Sequence, residues 1–394
     1  MNAERRAGGA QASLLLFGSC LPVLGAVLIA PVLPRMQSHF ADAPGATVLV
    51  PIALTLPALV IALLAPLAGL LADRIGRRPL LLASMSLYSL CGLLPLWLDS
   101  LTLIVASRAG IGLAEAGLMT CCTTLMGDYF EGQRRERLFA LQMVATSLSA
   151  ALFMGLGGAL GENSWRTPFV LYGVGLVCLP LMAALLWEPK CHRGEPVSTA
   201  SESFPWAALA PLYLLTLLAG VSLFIVPVQA GYLLQLLHVD GPQQIGMTMG
   251  ANQLGVLAGA LSFRLFSKLP SRRLLALGFA TAGFGGGCMA LAGSHAPVVV
   301  AVLINGLGVG LLLPTLITQV MQQVGFSQRG RATGGFTASI FAGEFLSPLA
   351  VLAITGGVSE GLPSALLYVA VVQLAIAPLS LIFLRRGSTP VLAA

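Results

Sequence analysis

Gly69-Leu-Leu-Ala-Asp73-Arg74-Ile-Gly76-Arg77-Arg78-Pro79 gathers three arginines, an aspartate and two glycines into eleven residues of a chain that is otherwise mostly apolar. It lies between an apolar run over residues 48–72 and another over 80–98. Each run is long enough to cross a hydrocarbon core of about 30 Å at roughly 1.5 Å per helical residue. The stretch therefore reads as a very short hairpin between two membrane helices.

Composition agrees. The chain is 57% hydrophobic and 9% charged, against about 25% charge in a soluble domain. Apolar stretches near membrane-spanning length predict twelve spans, at residues 12–34, 48–72, 79–98, 101–127, 138–161, 168–187, 207–235, 243–263, 274–293, 297–321, 332–356 and 365–384. With the N-terminus in the cytoplasm, the inner connectors hold 18 of the 21 Lys and Arg residues, and the outer ones hold only Arg35 and Arg166. The last, Arg108, is inside a span. That bias predicts both termini on the cytoplasmic side of a multi-pass inner-membrane protein. It also accounts for the net charge of +6, and no basic cluster is interleaved with aromatic residues for nucleic acid. The first apolar run, Ser13 to Leu33, exceeds the core of a secretory signal and reads as a permanent span.

The chain repeats. A shift of 195 residues lays Arg77-Arg78 on Arg272-Arg273, Gln133-Arg134 on Gln328-Arg329 and Asp73 on Lys268, and a shift of 196 lays Gly110 and Gly112 on Gly306 and Gly308. Two six-helix halves follow, residues 1–188 and 207–394, joined by a polar cytoplasmic linker at 189–206.

With this context, the Gly69–Pro79 stretch resembles the signature loop of the major facilitator superfamily of secondary transporters, Gly-x-x-x-Asp-Arg-x-Gly-Arg-Arg/Lys. The resemblance implies an all-α membrane protein, with twelve transmembrane helices in two pseudo-symmetric six-helix bundles, that works by alternating access. In the family the loop braces the halves when the cytoplasmic side is closed, with the eleventh helix as partner. Here Gly69 is expected to let the second helix pack closely, Gly76 to permit the turn and Pro79 to open the next helix. Asp73 is expected to receive backbone donors from a helix N-terminus, and Arg77 to pair with Asp128 at the cytoplasmic end of the fourth span. Together Gly69, Asp73, Gly76, Arg77 and Asp128 form the expected conformational latch. Lys268 in place of the aspartate implies that the second copy has lost it.

Three charged residues lie within spans, each costing about 2.5–3.5 kcal/mol on insertion scales: Arg108, Glu115 and Glu344. Arg108 and Glu115 are seven residues apart on the fourth span, hence on one helical face, and are expected to face a central cavity. Arg108-Ala-Gly-Ile-Gly112 is similar to the family's fourth-helix Arg-x-x-x-Gly element, which implies a role for Arg108 in proton coupling and substrate binding. Glu115 is a candidate proton carrier or one half of a permanent pair with Arg108. Glu344 is the rival carrier, or a protonated glutamic acid bonded to a neighbouring helix. Further polar candidates for the cavity are Gln142, Gln229, Asn252, Gln253, Asn305 and Gln319.

The fifth span keeps Gly157-Gly158 of the drug-exporter element but lacks its Gly-Pro, and the first span has no acid. The expectation is a monomeric drug/proton-antiporter-like or small-metabolite transporter of a small organic solute, most simply a proton-coupled exporter, alternatively an importer of a specific nutrient or metabolite. Glycine runs at 155–161 and 283–287 read as helix-packing surfaces rather than nucleotide loops. No phosphate-binding Gly-x-x-x-x-Gly-Lys-Ser/Thr occurs. The acids are too scattered for a membrane enzyme, and the seven cysteines and four histidines suggest neither a metal site, a cofactor nor a disulfide framework.

Overall fold

The computed structural model describes residues 7–189, 204–266, 268–325, 328–357 and 359–383. Among them the regular structure is helical: α1 (Gly9–Val27), α2 (Leu33–His39), α3 (Ala46–Ile75), α4 (Arg77–Leu93), α5 (Leu101–Tyr129), α6 (Gly132–Gly161), α7 (Val174–Leu185), α8 (Trp206–Leu236), α9 (Pro242–Phe266), α10 (Ser271–Ala290), α11 (His295–Gln322), α12 (Arg329–Thr355) and α13 (Leu362–Phe383). Among the described residues ten segments are long and apolar enough to span a membrane, the first being Gly9–His39, where α1 and α2 are joined by a 3-10 turn. The expected eighth and ninth spans form helices of 25 and 20 residues, α9 and α10. Their glycines, amides and arginines keep them below the apolarity of the other ten.

The helices run further into the charged loop than the hydropathy pattern predicts. Asp73, Arg74 and Ile75 close α3, Arg77 opens α4, and Gly76 alone joins them. Gly76 turns the chain with φ +99°, a conformation open to glycine at little cost. Pro79 is consequently the third residue of α4 rather than the first, still within the turn whose N–H groups have no helical acceptor. The sixth span also differs: it opens as a 3-10 helix, Thr167–Gly173, before becoming α7.

Packing divides the chain into two compact units, residues 1–195 with 241–247, and residues 196–240 with 248–394. The expected linker, 189–206, falls outside the described residues at 190–203. In the first unit α5 is central and packs on α1, α3 and α4. Small residues make those approaches possible. A Cβ at Gly112 would meet Pro57 of α3, and one at Gly117 would meet Ser84 of α4. The glycine run of α6 works the same way, with Gly157 against the Leu28 carbonyl, Gly161 against Val32 and Gly158 against Pro242.

In the second unit α11 packs on α10 and α8, α10 on α13, and α8 on α12. Gly306 and Gly310 of α11 lie on the backbone of α9 at Asn252 and Val256. Gly220 of α8 and Gly343 of α12 close a second tight crossing. Leu209, Leu275, Phe279, Leu312 and Leu316 fill the core between these helices. Outward-facing leucines, valines and tryptophans are numerous, Leu265 and Trp97 being 80% and 72% exposed, as suits a surface bathed in lipid.

Candidate functional site

Arg108 and Glu115 are both fully enclosed, at 0% exposure, so neither lines an open cavity. What surrounds Arg108 follows from breaks in its neighbours. Pro57 interrupts α3 and has no N–H to give the carbonyl four residues back, that of Ala53. Arg108 Nε donates to that oxygen at 3.0 Å. The α-helical ladder of α1 ends with the Leu28 N–H on the Leu24 carbonyl, and the next carbonyl, that of Gly25, accepts from Arg108 Nη2 at 2.5 Å. The third partner is a side chain: Nη1 donates to the Tyr172 hydroxyl at 2.6 Å. A planar fork of fixed donors suits this task better than an ammonium would.

Gly25 also meets Glu115, since a Cβ on Gly25 would fall on the Glu115 carboxylate. The two charged residues of α5 therefore converge on one residue of α1, through its carbonyl and through its bare Cα. Gly112 permits this, because α5 comes onto α3 at Pro57, one turn from Arg108. Behind Tyr172 stands an aromatic file: Tyr88 at 5.1 Å, Phe169 at 6.2 Å and, beyond it, Trp165 at a further 6.2 Å. Tyr88 is itself fixed by its hydroxyl on the Leu21 carbonyl at 2.7 Å.

At the loop, Arg77 forms an ion pair with Asp128 and lies 3.8 Å from Asp73. Asp73 is mostly exposed and sits on Arg77. The carboxylate on the N-terminus of α4 is instead Glu188, whose Oε1 and Oε2 accept from the Arg77 and Arg78 N–H groups at 2.9 and 2.8 Å. Pro79 has no N–H, and Leu80 bonds back to the Gly76 carbonyl at 3.4 Å. The first turn of α4 is thereby fully satisfied. A Cβ at Gly76 would press on the same Glu188 carboxylate at 3.1 Å, so this glycine serves both the turn and the cap. Gly69 departs from expectation: a Cβ there would meet nothing within 4 Å, and close helix packing does not account for it.

The amide candidates fall into two groups. In the first unit Gln142 ties α6 to α1 and α5 through Ser19 Oγ at 2.8 Å and Thr123 Oγ1 at 3.1 Å. In the second, Asn252 donates to the Val302 carbonyl at 2.7 Å and to Asn305 Oδ1 at 3.4 Å, while Asn305 donates to the Ala282 carbonyl at 2.8 Å. These buried amides stitch α9, α10 and α11. By the repeat, Asn305 stands one position beyond the counterpart of Arg108, so an amide pair occupies the region that a guanidinium holds in the first half. Gln319 is half-buried on Ser271 Oγ at 2.7 Å, and Gln229, Gln253 and Glu344 are buried. Glu344 follows Gly343 at the crossing of α8 and α12. Two further buried polar side chains bridge α13 and α8, where Gln373 donates to Ser222 Oγ at 2.7 Å. Among the described residues no group of three His, Cys, Asp or Glu side chains is placed to hold a metal ion.

Membrane-length helices in two compact units, with an arginine and carboxylates buried within them, make this a polytopic membrane protein. The chain belongs to the Major Facilitator Superfamily, whose family model matches residues 15–348. It is 26% identical over 360 residues to the tetracycline resistance protein, class C, of Escherichia coli, covering 85% of this chain and 87% of that one. It is 30% identical over 203 residues to the 3-(3-hydroxy-phenyl)propionate transporter of Escherichia coli K12, covering 49% of each. Its fold matches a bacterial homologue of the human lysosomal transporter Spinster with a TM-score of 0.77 at 16% identity, covering 95% of this chain and 96% of that one. It matches the peptide transporter POT with a TM-score of 0.75 at 13% identity, covering 97% and 96%.

Proposed function

We propose that this protein exports a small organic solute across the cytoplasmic membrane by alternating access, as a monomer with both termini inside, and that protons drive the cycle. The observation that carries this reading is the meeting of Arg108 and Glu115 at Gly25. A guanidinium and a carboxyl group enclosed on one helix, both bearing on the broken end of α1, allow a proton on Glu115 to change the seating of α1. Glu344, buried in the other unit, is the rival to Glu115 as the proton carrier. Gly69, Asp73, Gly76, Arg77 and Asp128 form the cytoplasmic latch, for which the Arg77–Asp128 pair is the support. Gln229 and Gln253 furnish polar groups beside the solute path, and Gln142, Asn252, Asn305 and Gln319 hold helices around it.

Uptake of a specific organic acid is the second reading. It is favoured by the 30% identity to the hydroxyphenylpropionate transporter and 31% identity over 151 residues to the gallate transporter of Pseudomonas putida. The incomplete exporter element in α6 points the same way.

The test is transport into everted and right-side-out vesicles, with tetracycline, gallate and 3-(3-hydroxyphenyl)propionate as probes and with or without a proton gradient. Accumulation only in everted vesicles under an acid interior supports export. Accumulation in right-side-out vesicles supports the second reading, and movement indifferent to the gradient removes proton coupling.

A further inference from the structure

We infer that Tyr172 is a positioning residue for Arg108, a side chain that fixes where the guanidinium stands relative to Glu115. The inference rests on the proton-coupled reading above. It names a residue outside the charged positions of α5 and outside the loop.

Two of the three partners of Arg108 are main-chain carbonyls, those of Ala53 and Gly25. Both are created by backbone breaks, and both remain wherever the arginine goes. The Tyr172 hydroxyl differs, because it belongs to a separate element, the 3-10 stretch Thr167–Gly173. Its oxygen accepts a hydrogen bond from Nη1 at 2.6 Å, and its hydroxyl is directed at the Gly25 carbonyl at 3.5 Å. Its ring centre stands 5.6 Å from the guanidinium carbon. Tyrosine and arginine are both fully buried, so the bond has no water competing for it, and a hydrogen bond to a charged donor in such surroundings is among the stronger kinds.

The ring is itself held. A Cβ at Gly92 of α4 would collide with it, and Tyr88 and Phe169 contact it. That packing keeps the phenol oxygen in place independently of Arg108. Folding needs the ring and coupling needs the hydroxyl, so the two roles separate experimentally. Around Arg108 the other titratable groups are Glu115 on its own helix and Tyr88 and Cys91 on α4, while α1 and α3 present the two carbonyls.

The experiment compares Tyr172→Phe with wild type in vesicles, using whichever probe of the panel the wild type carries. Two rates are read per folded protein: accumulation driven by a proton gradient, and counterflow exchange at equal pH. Tyr88→Phe is the control, since it removes a neighbouring hydroxyl that bonds main-chain groups of α1, at Leu21 and Gly25, and not Arg108. The expected result is a fall of about tenfold in driven accumulation with counterflow within about twofold, the size set by one lost bond to a charged donor. Tyr88→Phe keeps the wild-type ratio. A parallel fall in both rates, an unchanged ratio, or an equal change in Tyr88→Phe overturns the assignment. If the Phe variant does not fold, Tyr172→His, whose ring nitrogen stops short of the phenol oxygen, is read the same way. A wild-type protein that carries no probe, or ignores the gradient, sinks the proton-coupled reading itself and is thereby told apart from failure of the Tyr172 role alone.

Discussion

Arg108 sits on the oxygen that Pro57 strands. Proline in the body of α3 withdraws the N–H due to the Ala53 carbonyl, and the Arg108 Nε supplies a replacement at 3.0 Å. Defect and repair lie on different helices, and each makes the other tolerable. The link predicts non-additivity. Arg108→Ala leaves three buried acceptors short of a donor and is expected to cost about 3–5 kcal/mol. In a Pro57→Ala background the restored N–H bonds Ala53, so the same substitution should cost about 1 kcal/mol less. Reversible unfolding of the four proteins in detergent reads the coupling, and strict additivity would contradict it.

The contact of Gly25 with Glu115 gives a second prediction. A methyl group on Gly25 occupies the place of the Glu115 carboxylate, so Gly25→Ala should destabilise by about 1–3 kcal/mol, as overpacking does. Shortening the partner makes room. Gly25→Ala with Glu115→Ala is expected to recover thermal stability above Gly25→Ala alone, and a double variant worse than either single one would refute the contact.

The loop makes a third prediction through Glu188. Its carboxylate accepts the Arg77 and Arg78 N–H groups, a capping role worth about 1–2 kcal/mol. Glu188→Ala should therefore speed hydrogen exchange at those two amides while leaving the middle of α4 unchanged. Glu188→Gln, with one acceptor oxygen and no charge, should fall between. Equal exchange in all three proteins would remove the cap.

Much of this was readable from the residues, for a physical reason in each case. Charge inside an apolar run is rare, so Arg108, Glu115 and Glu344 announced themselves, and the opposite charges of Arg77 and Asp128 at adjoining span ends suggested their contact. Tyr172 was not readable, because a tyrosine in an apolar stretch looks like core until its hydroxyl is seen on a charge. Glu188 resembled the first residue of a polar linker, and only the fold brings it to a helix start in the same unit. Gln373 was within reach: it lies in the last span and satisfies the rule that picked out Gln142. Proline at 57 marks Ala53 as stranded by counting back four, yet nothing in one dimension says which donor arrives.

Gly69 supplies the last prediction because the structure leaves it without the neighbour that the sequence pattern led us to expect. A side chain there meets open space on a helix that continues through it to Ile75. Gly69→Ala should be neutral or raise stability by up to about 1 kcal/mol, the helix propensity difference. Gly310 is the contrast: its Cβ would fall on the Val256 backbone of α9, which cannot yield as a flexible side chain can, and Gly310→Ala should lower stability by at least about 2 kcal/mol. Unfolding midpoints test the pair. If Gly69→Ala is as stable as wild type yet loses transport, Gly69 is needed where another state of the cycle brings a helix against it, and the latch role stands. If it is stable and transports normally, Gly69 drops out of the latch and Gly76, with Glu188 above it, is the glycine that matters.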